Sequence, residues 1–199
     1  MPFWSESFGE DGDTPLKDPK RAFRFTVSIT GITGAGGPLI WYANSVTKPT
    51  FSLTSAEHKY LNHTFYYPGN VTWNPVDLKL VDPGGDTDVA ATLAGILEGG
   101  GYKIPSDASS NSLTSISKAS AAGALGRVEI KQINADGKPI ETWTLWNAYV
   151  EEVDFGGTLA YGDEKLTEIG LKIKYDWARL ETEMPGAAAV LPDNKFFNV

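Results

Sequence analysis

Residues 49–97 read PTFSLTSAEHKYLNHTFYYPGNVTWNPVDLKLVDPGGDTDVAATLAGIL, and the order of polar and apolar positions divides them into elements. Two alternating stretches flank a mixed polar segment of Glu57, His58, Lys59, Tyr60, Leu61, Asn62 and His63. A tight hairpin signals itself by a two-residue Asn-Gly or Asp-Gly turn, which is missing here. The segment therefore predicts a long arm between two strands, of a kind suited to reaching a neighbouring subunit. Pro68-Gly69 predicts a turn. Residues 71–81 predict a strand with Val76, Leu78 and Leu80 on one face. Pro75 lacks a donor for a ladder, so it marks an edge, a bulge or the strand start. A helix follows, with Asp86 or Thr87 as its cap, Val89, Leu93, Ile96 and Leu97 as its apolar stripe, and Gly99 as its stop.

The same reading places a half-buried strand at 23–29, where Phe23, Phe25, Val27 and Ile29 alternate with Arg24, Thr26 and Ser28. A glycine-rich loop follows at 31–38, then extended pieces from Trp41 and Pro49. Residues 104–126 are rich in Ser and Ala and predict an insertion-like loop with helical character over 115–125. Val128 and Ile130 start a strand, Asn134-Ala135-Asp136-Gly137 a hairpin loop, and strands return over 140–146 and 148–155. Ile169, Leu171, Ile173, Tyr175 and Trp177 alternate with Gly170, Lys172, Lys174 and Asp176 as one last strand. About seven or eight strands and one short flanking helix predict a mainly β chain, an antiparallel β-sandwich or barrel, in a single domain over 1–199. An aromatic-bearing arm (1–20, with Phe3, Trp4 and Phe8) precedes it, docking on its own body or on a neighbour, and a tail (183–199) follows.

Composition narrows the chemistry. The chain has no cysteine, which excludes disulfides, thiolate catalysis and thiolate zinc sites. Residues after Met1 lack the pattern of a signal peptide, and no apolar run approaches the roughly 20 residues of a membrane helix. A net charge of −8 argues against tight nucleic-acid binding, which draws on Lys and Arg at phosphates. It suits solubility, or a surface that repels DNA.

No motif organises a catalytic site. There is no G-x-S-x-G elbow, and no Lys-Ser or Lys-Thr follows the glycines at 31–37, so that loop does not cradle phosphate. His58 and His63 with Glu57 fit neither a helix face nor a strand face as metal ligands. Asp82, Asp86 and Asp88 lack the spacing and closing Glu of a calcium loop. Glu152 and Asp154 share a strand face and form a conceivable glycosidase pair, but a solvated strand face explains them better. Two Asn-x-Thr matches, at Asn62 and Asn70, are chance matches without a secretory signal. No cofactor is implied.

Several segments together resemble the tail tube proteins of contractile-tailed bacteriophages, over roughly residues 21–180. They are the DPKRAFRF run from Asp18, Lys48-Pro49-Thr50-Phe51, the arm at 57–61, VTWNPVDLKL from Val71 with the helix after it, and EIGLKIKYDW from Glu168. The resemblance implies a homohexameric ring whose inner strands form a continuous barrel, and rings stacked into a tube. It implies sheath, tape measure, baseplate and tail terminator proteins as partners, no membrane, and passing DNA that is not specifically bound. It places the protein in the virion tail, assembled in the bacterial cytoplasm, and makes the 57–63 arm and the N-terminal segment subunit or ring contacts. Lys172 and Lys174 sit on the polar face of the last strand, and Glu129, Glu141, Glu152 and Asp154 are candidates to offset them along a bore. Residues 104–126 and 183–199 exceed a minimal member. Tube proteins of contractile injection systems and the type VI secretion ring protein share this pattern. From other classes, a carbohydrate-binding β-sandwich using exposed Trp, and a glycosidase, remain open.

Overall fold

The computed structural model describes residues 19–33, 43–83, 88–103, 115–162, 164–182 and 195–196. The elements in chain order are β1 (Phe25–Ile29), α1 (Thr30–Thr33), β2 (Ala43–Val46), β3 (Thr50–Tyr60), β4 (His63–Asn74), β5 (Val76–Val81), α2 (Val89–Gly99), α3 (Lys118–Leu125), β6 (Val128–Ile133), β7 (Pro139–Trp146), β8 (Tyr149–Asp154), β9 (Glu168–Lys174), β10 (Trp177–Thr182) and β11 (Lys195–Phe196).

Every strand pairing is antiparallel. Among the described residues one sheet has the order β1-β6-β7-β10-β11, a second β2-β5-β9-β8, and β3 pairs only with β4. The two larger sheets form a sandwich, and neither closes into a barrel within one chain. Alternation explains the core. Val27 and Ile29 of β1, Val128 and Ile130 of β6, Val76, Leu78 and Leu80 of β5, and Ile169, Leu171 and Ile173 of β9 are all buried in one cluster. Helices α2 and α3 add Val89, Leu93, Ile96 and Leu125 to it.

The mainly β antiparallel fold agrees with the sequence reading, and several details differ. Phe23 precedes β1 and is exposed, because the chain is turning there and has no partner strand. Residues 31–33 belong to the helical turn α1 rather than to a loop. The cap of α2 is Asp88, whose carboxylate accepts from Ala91 N–H at 3.1 Å; Asp86 and Thr87 lie outside the described residues. Leu97 is exposed, since only Val89, Leu93 and Ile96 of the stripe face the sheets. Within 104–126 the helix α3 is capped by Ser117, and 104–114 lie outside the described residues.

The run from Ile169 to Trp177 is two strands. The chain leaves the second sheet after Lys174 and enters the first at Trp177. Asp176 fixes this crossover, accepting from Lys118 Nζ at 2.7 Å and Asn147 Nδ2 at 2.8 Å. The lysine holds the Asp176 carboxyl below its usual range, and Asn147 adds to the effect.

Candidate functional site

The 57–63 segment forms no long hinge. Glu57, His58, Lys59 and Tyr60 continue β3, His63 opens β4, and the loop is only Leu61-Asn62. Leu61 takes φ 53°, a left-handed conformation usually left to glycine. Pro68 and Gly69 make no turn either; both lie inside β4. There the ladder passes from Leu53↔Val71 to Ser55↔Pro68, so one residue of β3 opposes two of β4 in a β-bulge. Gly69 is required at this bulge, because a Cβ there would collide with the Thr54 hydroxyl.

The hairpin projects from the sandwich. Of its residues only Trp73 is even half-buried, although Phe51, Leu53, Tyr60, Leu61, Phe65, Tyr66, Tyr67 and Val71 are large and apolar.

Its base is tied to both sheets. Phe51 and Trp73 pack with ring centroids 5.2 Å apart, and Trp73 reaches Tyr175 at 5.9 Å. Burial pushes the Tyr175 hydroxyl up to about 12. Just before β3, Lys48 Nζ donates to Gln132 Oε1 at 2.7 Å and to Glu141 Oε1 at 2.8 Å. Glu141 also accepts from Trp143 Nε1 at 2.6 Å and from Lys20. Burial by itself would raise the Glu141 pKa, but the donors Lys20, Lys48 and Trp143 and the Lys48 charge bring it down to about 2.

The candidate bore residues do not share a face. Glu141 points inward at the end of the sandwich, on the side of Trp143 and Leu145, so it lines no open surface. Glu129 lies on the outer face of the first sheet, between Arg127 at 2.7 Å and Lys131 at 2.8 Å. Glu152, Asp154, Lys172 and Lys174 lie together on the outer face of the second sheet. There Lys172 stands 3.5 Å from Glu152, and Lys174 3.1 Å from Glu151, whose hydrogen bond raises the lysine's pKa. Asp77 and Glu168 join this face through their pairing with Lys172 and Val81. Strands β2 and β8 are its two edges.

The loop from β8 to β9 borders an open cleft of 1080 Å³. Asp154, Lys79 and Lys165 stand on its wall with Leu159, Tyr161 and Leu166, and Glu152 stands outside it. The two carboxylates proposed as a glycosidase pair thus do not converge on one cavity. Among the described residues no three His, Asp or Glu side chains gather at metal-binding range, and no helix is long and apolar enough to cross a membrane. Phe3, Trp4 and Phe8 lie outside the described residues. The aromatic cluster Phe65-Tyr66-Tyr67 is a part of the site that the sequence reading left aside; three adjacent rings in a strand exposed on both faces were its only signal.

No family model and no curated protein sequence matches this chain. Solved structures do. A chain of the sheath/tube terminator of an extracellular contractile injection system, PVC, in its extended state is 16% identical, with a TM-score of 0.61 over 84% of this chain and 99% of that one. A chain of the PVC sheath–tube complex gives 0.59 at 16% identity over 84% and 95%. A chain of the anti-feeding prophage tube-terminating cap gives 0.59 at 15% identity over 88% and 99%. The chain therefore shares the fold of tube and terminator proteins of contractile injection systems, the same group to which the sequence pattern points.

Proposed function

We propose that this chain is a structural, non-catalytic tube subunit of a contractile tail: a single-domain protomer that forms homohexameric rings, stacked into the inner tube. The observation that carries this reading is the β3–β4 hairpin, which holds eight of the large apolar side chains exposed among the described residues: Phe51, Leu53, Tyr60, Leu61, Phe65, Tyr66, Tyr67 and Val71. Large exposed apolar surfaces mark interaction sites, and a lone two-stranded hairpin is marginal in water without a partner. The open edges β2 and β8 support the ring, since strand edges invite pairing and closure between subunits removes them. With β2 of one subunit beside β8 of the next, the outer face of the second sheet lines the bore. Its acids Asp77, Glu151, Glu152, Asp154 and Glu168 outnumber Lys79, Lys172 and Lys174, which lowers the residence of passing DNA. In this reading the tube belongs to a phage virion, is assembled in the bacterial cytoplasm, and meets sheath, tape measure, baseplate and terminator proteins.

A second reading, the tube of a protein-injection machine, is favoured by the fold neighbours, which come from extracellular contractile injection systems. Particles immunolabelled on this chain separate the two: DNA-filled heads on the labelled tails support the phage, and headless particles carrying protein support the injection machine.

Negative-stain microscopy and light scattering of the full chain test the common core of both readings. Hollow rings or tubes are expected, and deletion of 57–63 abolishes them while the sandwich stays folded. Tubes that survive that deletion overturn the role given to the hairpin.

A further inference from the structure

Of the tryptophans among the described residues, Trp73, Trp143 and Trp177 are half-buried and only Trp146 is exposed, at 40%. Trp146 ends β7 and stands outside the core cluster, so the packing of the sandwich does not demand an indole there. One of its faces is covered. Trp177, its cross-strand partner on β10, stacks on it with ring centroids 6.2 Å apart and planes within 15° of parallel. Such an offset stack holds the ring in place.

The other side of Trp146 borders an open cavity of 540 Å³ at the end of the first sheet, where β6 begins and β7 ends. Strand β7 lies between β6 and β10. Trp177 therefore flanks Trp146 on one side and Arg127 on the other, because Arg127 precedes Val128, whose partner is Leu145. Arg127, Thr144 and Asn147 bring polar groups to the cavity, and α3 borders it with Ala122 and Gly123. These two small residues leave the space open; a Cβ built on Gly123 meets nothing within 4 Å. The volume falls within the roughly 300–1,000 Å³ of small-molecule sites, which combine apolar walls with a few polar groups.

We propose that this cavity binds a neutral mono- or disaccharide, with one sugar ring stacked on the uncovered face of Trp146. A pyranose ring presents C–H groups on its faces, and their slight positive charge suits the negative face of an indole. Its hydroxyls both donate and accept, so they need partners of both kinds. Arg127 supplies donors and Thr144 a hydroxyl that does either. Asn147 supplies an acceptor, since its Nδ2 is already committed to Asp176 at 2.8 Å. Charge selects a neutral ligand over an anionic aromatic one. The Arg127 guanidinium is paired with Glu129 at 2.7 Å, and the chain as a whole carries −8, so an anion meets a neutralised cation in a repelling field. The site needs no second copy of the chain, so it stands or falls apart from the tube reading.

The test uses two readouts on the full-length chain. On an array of neutral mono- and disaccharides coupled to a carrier protein, at least one sugar is expected to retain the wild type. In proton–nitrogen correlation spectra the same sugar, free in solution, is expected to shift the indole N–H signal of Trp146. Trp146→Ala is expected to weaken retention up to about tenfold, the size of one aromatic contact. Gly123→Leu fills the cavity from α3 and is expected to abolish binding while the circular dichroism spectrum and Tm stay those of the wild type, so that lost binding is not lost folding. An array that retains nothing overturns the proposal. So does retention that Trp146→Ala and Gly123→Leu leave unchanged, or a Trp146 signal that answers to indole-3-acetate and to no sugar. Each of these outcomes leaves the tube reading standing.

Discussion

The hydroxyl of Thr54 stands in for a strand partner of Asn70: it accepts from Asn70 N–H at 2.9 Å and donates to the Asn70 carbonyl at 3.4 Å. This side-chain bridge spans the bulge where the regular ladder is interrupted. Thr54→Val keeps the shape and removes the bridge. The expected loss is about 1 kcal/mol, the net worth of a hydrogen bond, with faster hydrogen exchange at Asn70 and none of the change at β5. Gly69→Ala is expected to cost more, roughly 1–3 kcal/mol from overpacking, because its Cβ also meets the Thr54 carbonyl at 3.0 Å. Amide exchange across β3 and β4 checks both, and an unchanged exchange rate at Asn70 in Thr54→Val contradicts the bridge.

Leu61 is held at φ 53° while its side chain is almost wholly exposed, at 86%. A non-glycine residue in that region costs about 1–2 kcal/mol, and here no core contact in the chain offsets it. Leu61→Gly is therefore expected to raise the stability of the isolated subunit slightly, by up to about 1 kcal/mol, while tube growth slows. Urea unfolding of the monomer and light scattering of assembly read the two effects separately. Faster assembly together with higher stability would mean that Leu61 has no part in docking.

Glu141 sits with its side chain 8% exposed among Lys20, Lys48 and Trp143. Its pKa falls to about 2 from an ordinary value of 4.5. A lowered folded-state pKa gives stability that is present above the unfolded value and is lost as pH drops from about 4.5 toward 2. The full shift corresponds to about 3 kcal/mol, and screening around the half-exposed lysines brings the expected contribution to about 1–2 kcal/mol. Glu141→Gln is expected to lose that amount at pH 7, with the gap to the wild type narrowing as pH falls from about 4.5 to 2.5. Denaturant midpoints of both proteins between pH 7 and pH 2.5 check the sign; a gap that widens in acid contradicts it.

Sequence alternation was legible wherever one face of a strand meets the core. Val76, Leu78 and Leu80 were readable as a buried row, as were Ile169, Leu171 and Ile173, because burial imposes the two-residue period. The same rule ran two strands together at Tyr175 and Trp177, since a chain that passes from one sheet to the other keeps an apolar residue at every second position. Period carries no information about which sheet a residue joins. The hairpin was misread for the opposite reason. Glu57 to His63 face solvent on both sides, so nothing in this chain selects a pattern there, and Pro68-Gly69, a turn signal by composition, serves a bulge instead. Glu141 looked like one more surface acid, because the lysines that neutralise it lie 121 and 93 residues away in sequence.

Helix α2 offers a contrast between two leucines four residues apart. Leu93 is buried in the shared core, whereas Leu97, one turn later, is 47% exposed. Gly100 N–H donates to the Ile96 carbonyl at 2.9 Å, the ordinary bond of a regular last turn, and with Val89, Leu93 and Ile96 as the buried stripe, the step of about 100° per residue leaves Leu97 at its edge. Leu93→Ala is expected to cost about 2–5 kcal/mol, the transfer of a buried side chain plus its cavity. Leu97→Ala is expected to stay within about 0.5 kcal/mol, as surface substitutions do. Thermal unfolding of the monomeric subunit separates them. If Leu97→Ala leaves the monomer unchanged but weakens assembled tubes, the exposed turn of α2 is a further contact between subunits; if it destabilises the monomer as much as Leu93→Ala does, the rotation of α2 against the sandwich is wrong.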